Sequence, residues 1–130
     1  MEIWDIPGYE KNKGMWRLDL KIQRWGYGHF FDVDCCVLMC DLTNKKSFDN
    51  LDYWMEKFVT LNKPDKPDVY PFILVATKAD NFQKRQVLKN DLNNWAFKNN
   101  MYDYYEVSAK TNFDMDFAWE GIAKACVGIY

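Results

Sequence analysis

Residues 72–76, Phe-Ile-Leu-Val-Ala, form a short unbroken apolar run that halts at Thr77-Lys78-Ala79-Asp80. An apolar run without polar alternation predicts a strand covered on both faces, the type found in a parallel sheet between helices. Polar groups at the carboxyl end of such a strand stand where open α/β sheets bind ligands. Taken alone, the run fits a buried strand with a polar exit and no site equally well.

The rest of the chain repeats the pattern. Residues 33–41, VDCCVLMCD, predict a second strand, and residues 104–107 a third that leaves through Ser108-Ala109-Lys110. Residues 1–4 are a short apolar start that reads as a further strand, ended by the turn formers Pro7 and Gly8. Residues 11–26 mix Trp16, Leu18, Leu20, Ile22 and Trp25 with basic side chains and fit no single period. Trp4, Trp16 and Trp25 read either as core or as an exposed binding surface.

Helical periods separate the strands. Thr43 or Asn44 is placed to cap a helix carrying Phe48, Leu51, Met55, Phe58 and Val59 and running to about residue 61. After the turn-rich NKPDKPD come Leu88, Leu92, Trp95 and Ala96 on another helix. Met115, Ala118, Trp119, Ile122, Ala123 and Cys126 line one face of a closing helix. Strands alternating with helices predict right-handed crossovers and a mainly parallel α/β sheet. Four predicted strand ends are polar: Asp5/Gly8, Asp41, Thr77/Asp80 and Ser108/Lys110. A parallel sheet brings them to one edge.

Charge and cysteine usage narrow the function classes. With 17 basic and 19 acidic residues, the chain lacks the basic surplus of a general nucleic-acid binder. No apolar run approaches the ~20 residues of a membrane span, and MEIWDIPG is not a signal peptide. Cys35, Cys36 and Cys40 lie within one apolar run, where they pack as small apolar groups. Neighbours on a strand face opposite ways, so Cys35 and Cys36 do not clamp a metal, and with His29 the only histidine no zinc site is expected. The pattern suits a reducing compartment.

Four stretches together resemble small GTPases of the Ras superfamily, most closely the Rab family. WDIPGYE resembles the family's WDTAGQE, DCCVLMCDLTNKKSFDNLDYW its fourth strand and third helix, TKAD its guanine motif NKxD, and EVSAK its ETSAK. SFDNLDYW, YPFILVATKAD and AFKNNMYDYYEVSAKT point toward the late-endosomal and lysosomal Rabs. The resemblance implies GTP/GDP with Mg²⁺ as ligands. Asp80 would accept from the guanine N1 and exocyclic amine, and the stem of Lys78 would lie along the base. Thr77 stands where the family has Asn. The Ala109 N–H would meet the guanine carbonyl, held by Ser108 and Lys110. Asp5 would reach Mg²⁺ through water, and Gly8 would sense the γ-phosphate. Protein effectors or regulators of the Rab type are the implied partners. The implied location is cytoplasmic, at the periphery of endosomal membranes.

The sequence also departs from that family. No G-x-x-x-x-G-K-[ST] occurs in the 130 residues. The fold expected is therefore an incomplete P-loop small-GTPase domain over residues 1–130, the C-terminal two-thirds, lacking the first strand, first helix and second strand. Tyr9 occupies the position of the glutamine that orients the attacking water, so no catalytic residue is assigned, and extra residues lie between Gly8 and Asp34. The chain ends CVGIY, with no C-a-a-X box, so no membrane anchor is expected from it. Two readings stay open. One is a GTP-binding protein of vesicle traffic with impaired binding and hydrolysis. The other is a non-catalytic binding scaffold whose sheet is completed by a partner chain or a second copy.

Overall fold

The computed structural model describes Met1, Ile3 and residues 33–62 and 64–128. The chain divides into two units, Met1–Val33 and Asp34–Tyr130, and every element below belongs to the second. The expectations on Asp5, Gly8 and Tyr9, on the three tryptophans Trp4, Trp16 and Trp25, and on residues 11–26 lie outside the described residues.

Three strands, β1 (Cys36–Asp41), β2 (Phe72–Thr77) and β3 (Asp103–Glu106), form a parallel sheet in the order β1-β2-β3. Their registers run level, with Cys36 opposite Phe72, Asp41 opposite Thr77, and Ile73 opposite Asp103. The central strand is buried on both faces, as its uninterrupted apolar run requires: no residue from Phe72 to Ala76 is more than 5% exposed. Ile73 and Leu74, both wholly buried on opposite faces, contribute about 2 kcal/mol each by leaving water.

Helices α1 (Lys45–Asp49) and α2 (Leu51–Asn62) follow β1, α3 (Lys89–Lys98) follows β2, and α4 (Met115–Cys126) closes the chain. One face of the sheet packs Leu38, Cys40, Phe72, Leu74 and Ala76 against Leu51 of α2 and Leu92 and Ala96 of α3. The opposite face packs Ile73, Val75 and Val107 against Ala118 and Ala125 of α4. This is the mainly parallel α/β layering that the sequence predicts.

Five details differ from the sequence expectation. The strand predicted over residues 104–107 spans Asp103–Glu106. The strand predicted over residues 33–41 begins only at Cys36. The helix predicted to run from a Thr43 or Asn44 cap to about residue 61 is two helices. Asn44 caps the first, its side chain accepting from the Ser47 N–H, and Asn50 interrupts the pair with ψ of −3°. An asparagine amide competes with the backbone for hydrogen bonds and tolerates such a break. Backbone bonds from Asn50 N–H to Lys46 O and from Trp54 N–H to Asn50 O keep the two segments continuous.

Leu88 is not on the packed face of α3. It is the N-cap, in extended conformation, and its side chain is exposed, while Val87 takes the core position. On α4 the buried stripe is Ala118, Gly121 and Ala125, leaving Trp119 and Ala123 exposed. The helix turns its smallest residues inward because the Tyr105 side chain lies directly against Gly121. A Cβ at that position would stand 2.6 Å from Tyr105 Cζ.

Candidate functional site

Three loops leave the carboxyl ends of the three parallel strands and are tied to one another. The Leu42 N–H donates to Thr77 O, the Ala79 N–H to Val107 O at 3.0 Å, and the Val107 N–H to Ala76 O at 2.8 Å. These cross-links are the reason Asp41, Thr77, Lys78, Asp80, Ser108, Ala109 and Lys110 share one edge. The sequence predicted that gathering for Asp41, Thr77, Asp80, Ser108 and Lys110, and the structure places these five there with Lys78 and Ala109; Asp5 and Gly8, expected at the same edge, lie outside the described residues.

Asp80 and Ser108 form its centre. The Ser108 hydroxyl is fully buried and donates to Asp80 Oδ1 at 2.6 Å. The Ser108 Oγ also accepts from the Thr111 N–H at 3.2 Å, and the Ser108 N–H donates to Phe113 O. A short bond from a buried hydroxyl to a carboxylate is charge-assisted and fixes the carboxylate's rotamer. Among the described residues Oδ2 makes no hydrogen bond, and Asp80 is half-buried, so this oxygen is the one available to a donor pair on a ligand. Ala109 and Lys110 follow on the exposed turn.

Thr77 and Lys78 are disposed differently. The Thr77 hydroxyl donates across the sheet to Cys40 O at 3.2 Å. It serves the β1–β2 junction. Lys78 has φ of 62°, in the left-handed region, a conformation that costs a non-glycine residue about 1 kcal/mol or more. Its ammonium lies 2.7 Å from Asp41 Oδ2. Asp41 Oδ1 accepts from both the N–H and the hydroxyl of Thr43, at 2.8 and 2.7 Å. Burial alone would lift the Asp41 carboxyl, but the bonds from Lys78 and Thr43 outweigh it and hold the group below its ordinary value. The bond to Asp41 and its negative charge raise the Lys78 ammonium in turn.

This Asp41–Thr43–Lys78 link was not foreseen from the sequence, although Asp-x-Thr directly after a strand is the pattern of a side chain that accepts from the backbone two residues on. Arg85 was missed as well. Its guanidinium bonds to Glu106 at the end of β3 and to Val87 O, which anchors the segment following Asp80.

At Asp80 and Ala109 an oriented carboxylate and an exposed turn stand together, which suits a ligand that offers adjacent hydrogen-bond donors. Thr77 is less available, because its hydroxyl is already committed to Cys40 O. Asp5, the residue expected to reach Mg²⁺, and Gly8 lie outside the described residues. Shallow grooves elsewhere, one along Asp52, Met55, Val59 and Asn99 and one along Phe48, Asp91 and Trp95, share no residue with these loops. No helix among the described residues is long and apolar enough to cross a membrane.

Comparison with known proteins adds the lineage. A model of the Ras family matches residues 1–127. The Ras-related protein Rab-7a of Paramecium octaurelia is 34% identical over 125 residues, covering 96% of this chain and 56% of the relative. The Ras-related protein Rab7 of Drosophila melanogaster is 36% identical over 124 residues, 95% of this chain and 55% of the relative. The Ypt/Rab-type GTPase ypt7 of Schizosaccharomyces pombe is 34% identical over 125 residues, with 95% and 56% covered. The chain thus spans about half the length of the curated relatives it matches.

Proposed function

Because the chain belongs to the Ras family, we propose that it is a Rab-type guanine-nucleotide-binding module of endosomal vesicle traffic, in which the loops at the carboxyl edge of the sheet recognise the base. The observation that carries this reading is the 2.6 Å bond from Ser108 to Asp80, which orients a carboxylate beside the Ala109 turn. A carboxylate there accepts from the two adjacent donors of guanine. Adenine presents no such pair, so the same geometry selects between the two. Thr77, Lys78 and Lys110 complete the base side, and Asp5 and Gly8 are assigned the Mg²⁺ and γ-phosphate roles.

Hydrolysis is impaired in this reading, because a phenol at Tyr9 offers a single oxygen where an amide offers a separate carbonyl acceptor and NH₂ donor to orient an attacking water. Rab-type effectors or regulators are the partners, and endosomal membranes are the location to which they bring the protein. The relatives' names support the Rab type, since three of them are Rab7 or ypt7 proteins.

The test is titration of the chain with fluorescent GDP and GTP in the presence of Mg²⁺, competed by guanosine and by ADP. Guanosine is expected to compete and ADP is not, and Asp80→Ala is expected to abolish the signal. Equal competition by both, or binding that survives Asp80→Ala, refutes base recognition at this edge.

A further inference from the structure

Lys78 is ordered at a cost that its contribution to stability does not offset. Its φ of 62° lies in the left-handed region, which is strained for a residue with a Cβ. Its ammonium is held 2.7 Å from Asp41 Oδ2 although the side chain is 60% exposed. An ion pair that open to water adds little to stability, and fixing a lysine gives up the rotamer freedom of a long stem. Strain and order kept without a return in stability mark a place where the chain is shaped for a ligand.

Asp41 is itself immobilised before it meets the lysine. Its N–H donates to Ser47 Oγ at 2.8 Å, and its carbonyl accepts from the Asn44 N–H at 2.9 Å, which ties its backbone to the start of α1. Both donors of Thr43 bond to Oδ1 and leave Oδ2 to the ammonium. On the other side of Lys78, the Ala79 N–H is bound to Val107 O and Asp80 to the Ser108 hydroxyl. The strand order is β1-β2-β3, so the lysine side chain is drawn from the β2 exit toward β1, while the Asp80 carboxylate is drawn toward β3.

We propose that Asp41 is a positioning residue for base recognition: by holding the Lys78 ammonium, it stretches the lysine stem into a preformed apolar strip against which the flat ring of a purine bound at Asp80 lies. The inference rests on the reading of this edge as a base site. Asp41 acts through Lys78 rather than on the ring. The gain is preorganisation, since a side chain already fixed loses no further freedom when the ring arrives. Because Asp41 neutralises the ammonium, the stem and not the charge serves the ring. A methionine at this position, uncharged and with a stem of the same length, therefore has no need of Asp41.

The experiment displaces fluorescent GDP from the full chain with guanosine, in the presence of Mg²⁺, for wild type, Asp41→Asn, Lys78→Met and the double variant. Asp41→Asn alone is expected to weaken guanosine roughly three- to tenfold, the effect of having to immobilise one long side chain on binding. In the Lys78→Met background the same substitution should change the affinity less than about twofold, because the two residues act as one unit. Equal weakening in both backgrounds, which is what a merely structural role gives, or none in either, would overturn the proposal. Guanosine binding that is lost in Asp80→Ala but untouched by Asp41→Asn sinks this inference alone. A wild-type chain that binds no guanosine sinks the base-site reading and the inference with it. Should Asp41→Asn not fold, the lysine ammonium resonances of the isotope-labelled wild-type chain decide the matter, with Lys78 assigned through Lys78→Met. A resolved, slowly exchanging Lys78 ammonium is expected before any ligand is added, and a freely exchanging one overturns the proposal, since no strip is then formed in advance.

Discussion

Replacing Ser108 with alanine isolates the bond on which the candidate site depends. The wild-type hydroxyl is fully buried, donates to Asp80 Oδ1 at 2.6 Å and accepts from the Thr111 N–H at 3.2 Å. A hydrogen bond to a charged group contributes about 1.5–3 kcal/mol, and Asp80 is only half-buried, so water replaces part of it and the lower end applies. Thr111 is exposed, and its N–H recovers a water partner at a cost of about 0.5 kcal/mol. The sum is about 2 kcal/mol, which at a urea m-value of about 1.5 kcal/mol/M lowers the unfolding midpoint by about 1.3 M. Urea unfolding followed by far-ultraviolet circular dichroism measures it. A cycle with Asp80→Ala should return a coupling of about 1.5 kcal/mol, because the two side chains act as one unit. A loss below about 0.5 kcal/mol with no coupling would show that Asp80 is oriented by something other than Ser108.

Two further outcomes follow from the packing. Alanine in place of glycine inside a helix ordinarily stabilises by about 1 kcal/mol, but Gly121→Ala sets a Cβ 2.6 Å from Tyr105 Cζ and displaces a ring whose hydroxyl donates to Asp103 Oδ2 at 2.7 Å. A net destabilisation of about 1–3 kcal/mol is expected in thermal unfolding, and a stabilised variant would refute the close approach. The Cys40 thiol, pushed up to about 12 by burial and then by Asp41 and Glu106, stays protonated in the folded chain while the unfolded thiol ionises near pH 8.5. The unfolded state therefore binds fewer protons between those values, and stability falls as pH rises through that window. Under reducing conditions Cys40→Ala should flatten the decline between pH 9 and 10 by about 1 kcal/mol per pH unit, and an unchanged slope would count against a buried, protonated thiol.

What could be read in advance tracks the range of the interaction. The central strand was legible to the residue, because burial on both faces leaves a run with no polar alternation. Asp41, Thr77, Asp80 and Ser108 were each visible as polar strand exits, and parallel topology was enough to gather them. Hidden were features set by pairs distant in sequence. The Thr77 hydroxyl looks like a site group until Cys40 O is found beside it, and Lys78 looks free until Asp41 is placed. Helical periodicity nominated Trp119 and Ala123 for the α4 core, since apolar character sets the period. Packing chose Ala118, Gly121 and Ala125, since the Tyr105 side chain leaves room only for small residues.

The level parallel register has a kinetic side. The first ladder joins Cys36 to Phe72, residues 72 − 36 = 36 apart, and the second joins Ile73 to Asp103, residues 103 − 73 = 30 apart. Neither ladder starts from a hairpin, so each must close a long loop before its first bond forms, at an entropic cost of about 3 kcal/mol beyond a constant term. Such non-local pairing slows folding and leaves few half-formed states worth populating. The Asp80–Ser108 bond spans loops that follow β2 and β3, so it exists only once the last ladder has zipped. A ligand held at this edge would therefore report on, and reinforce, the folding of the whole unit at once.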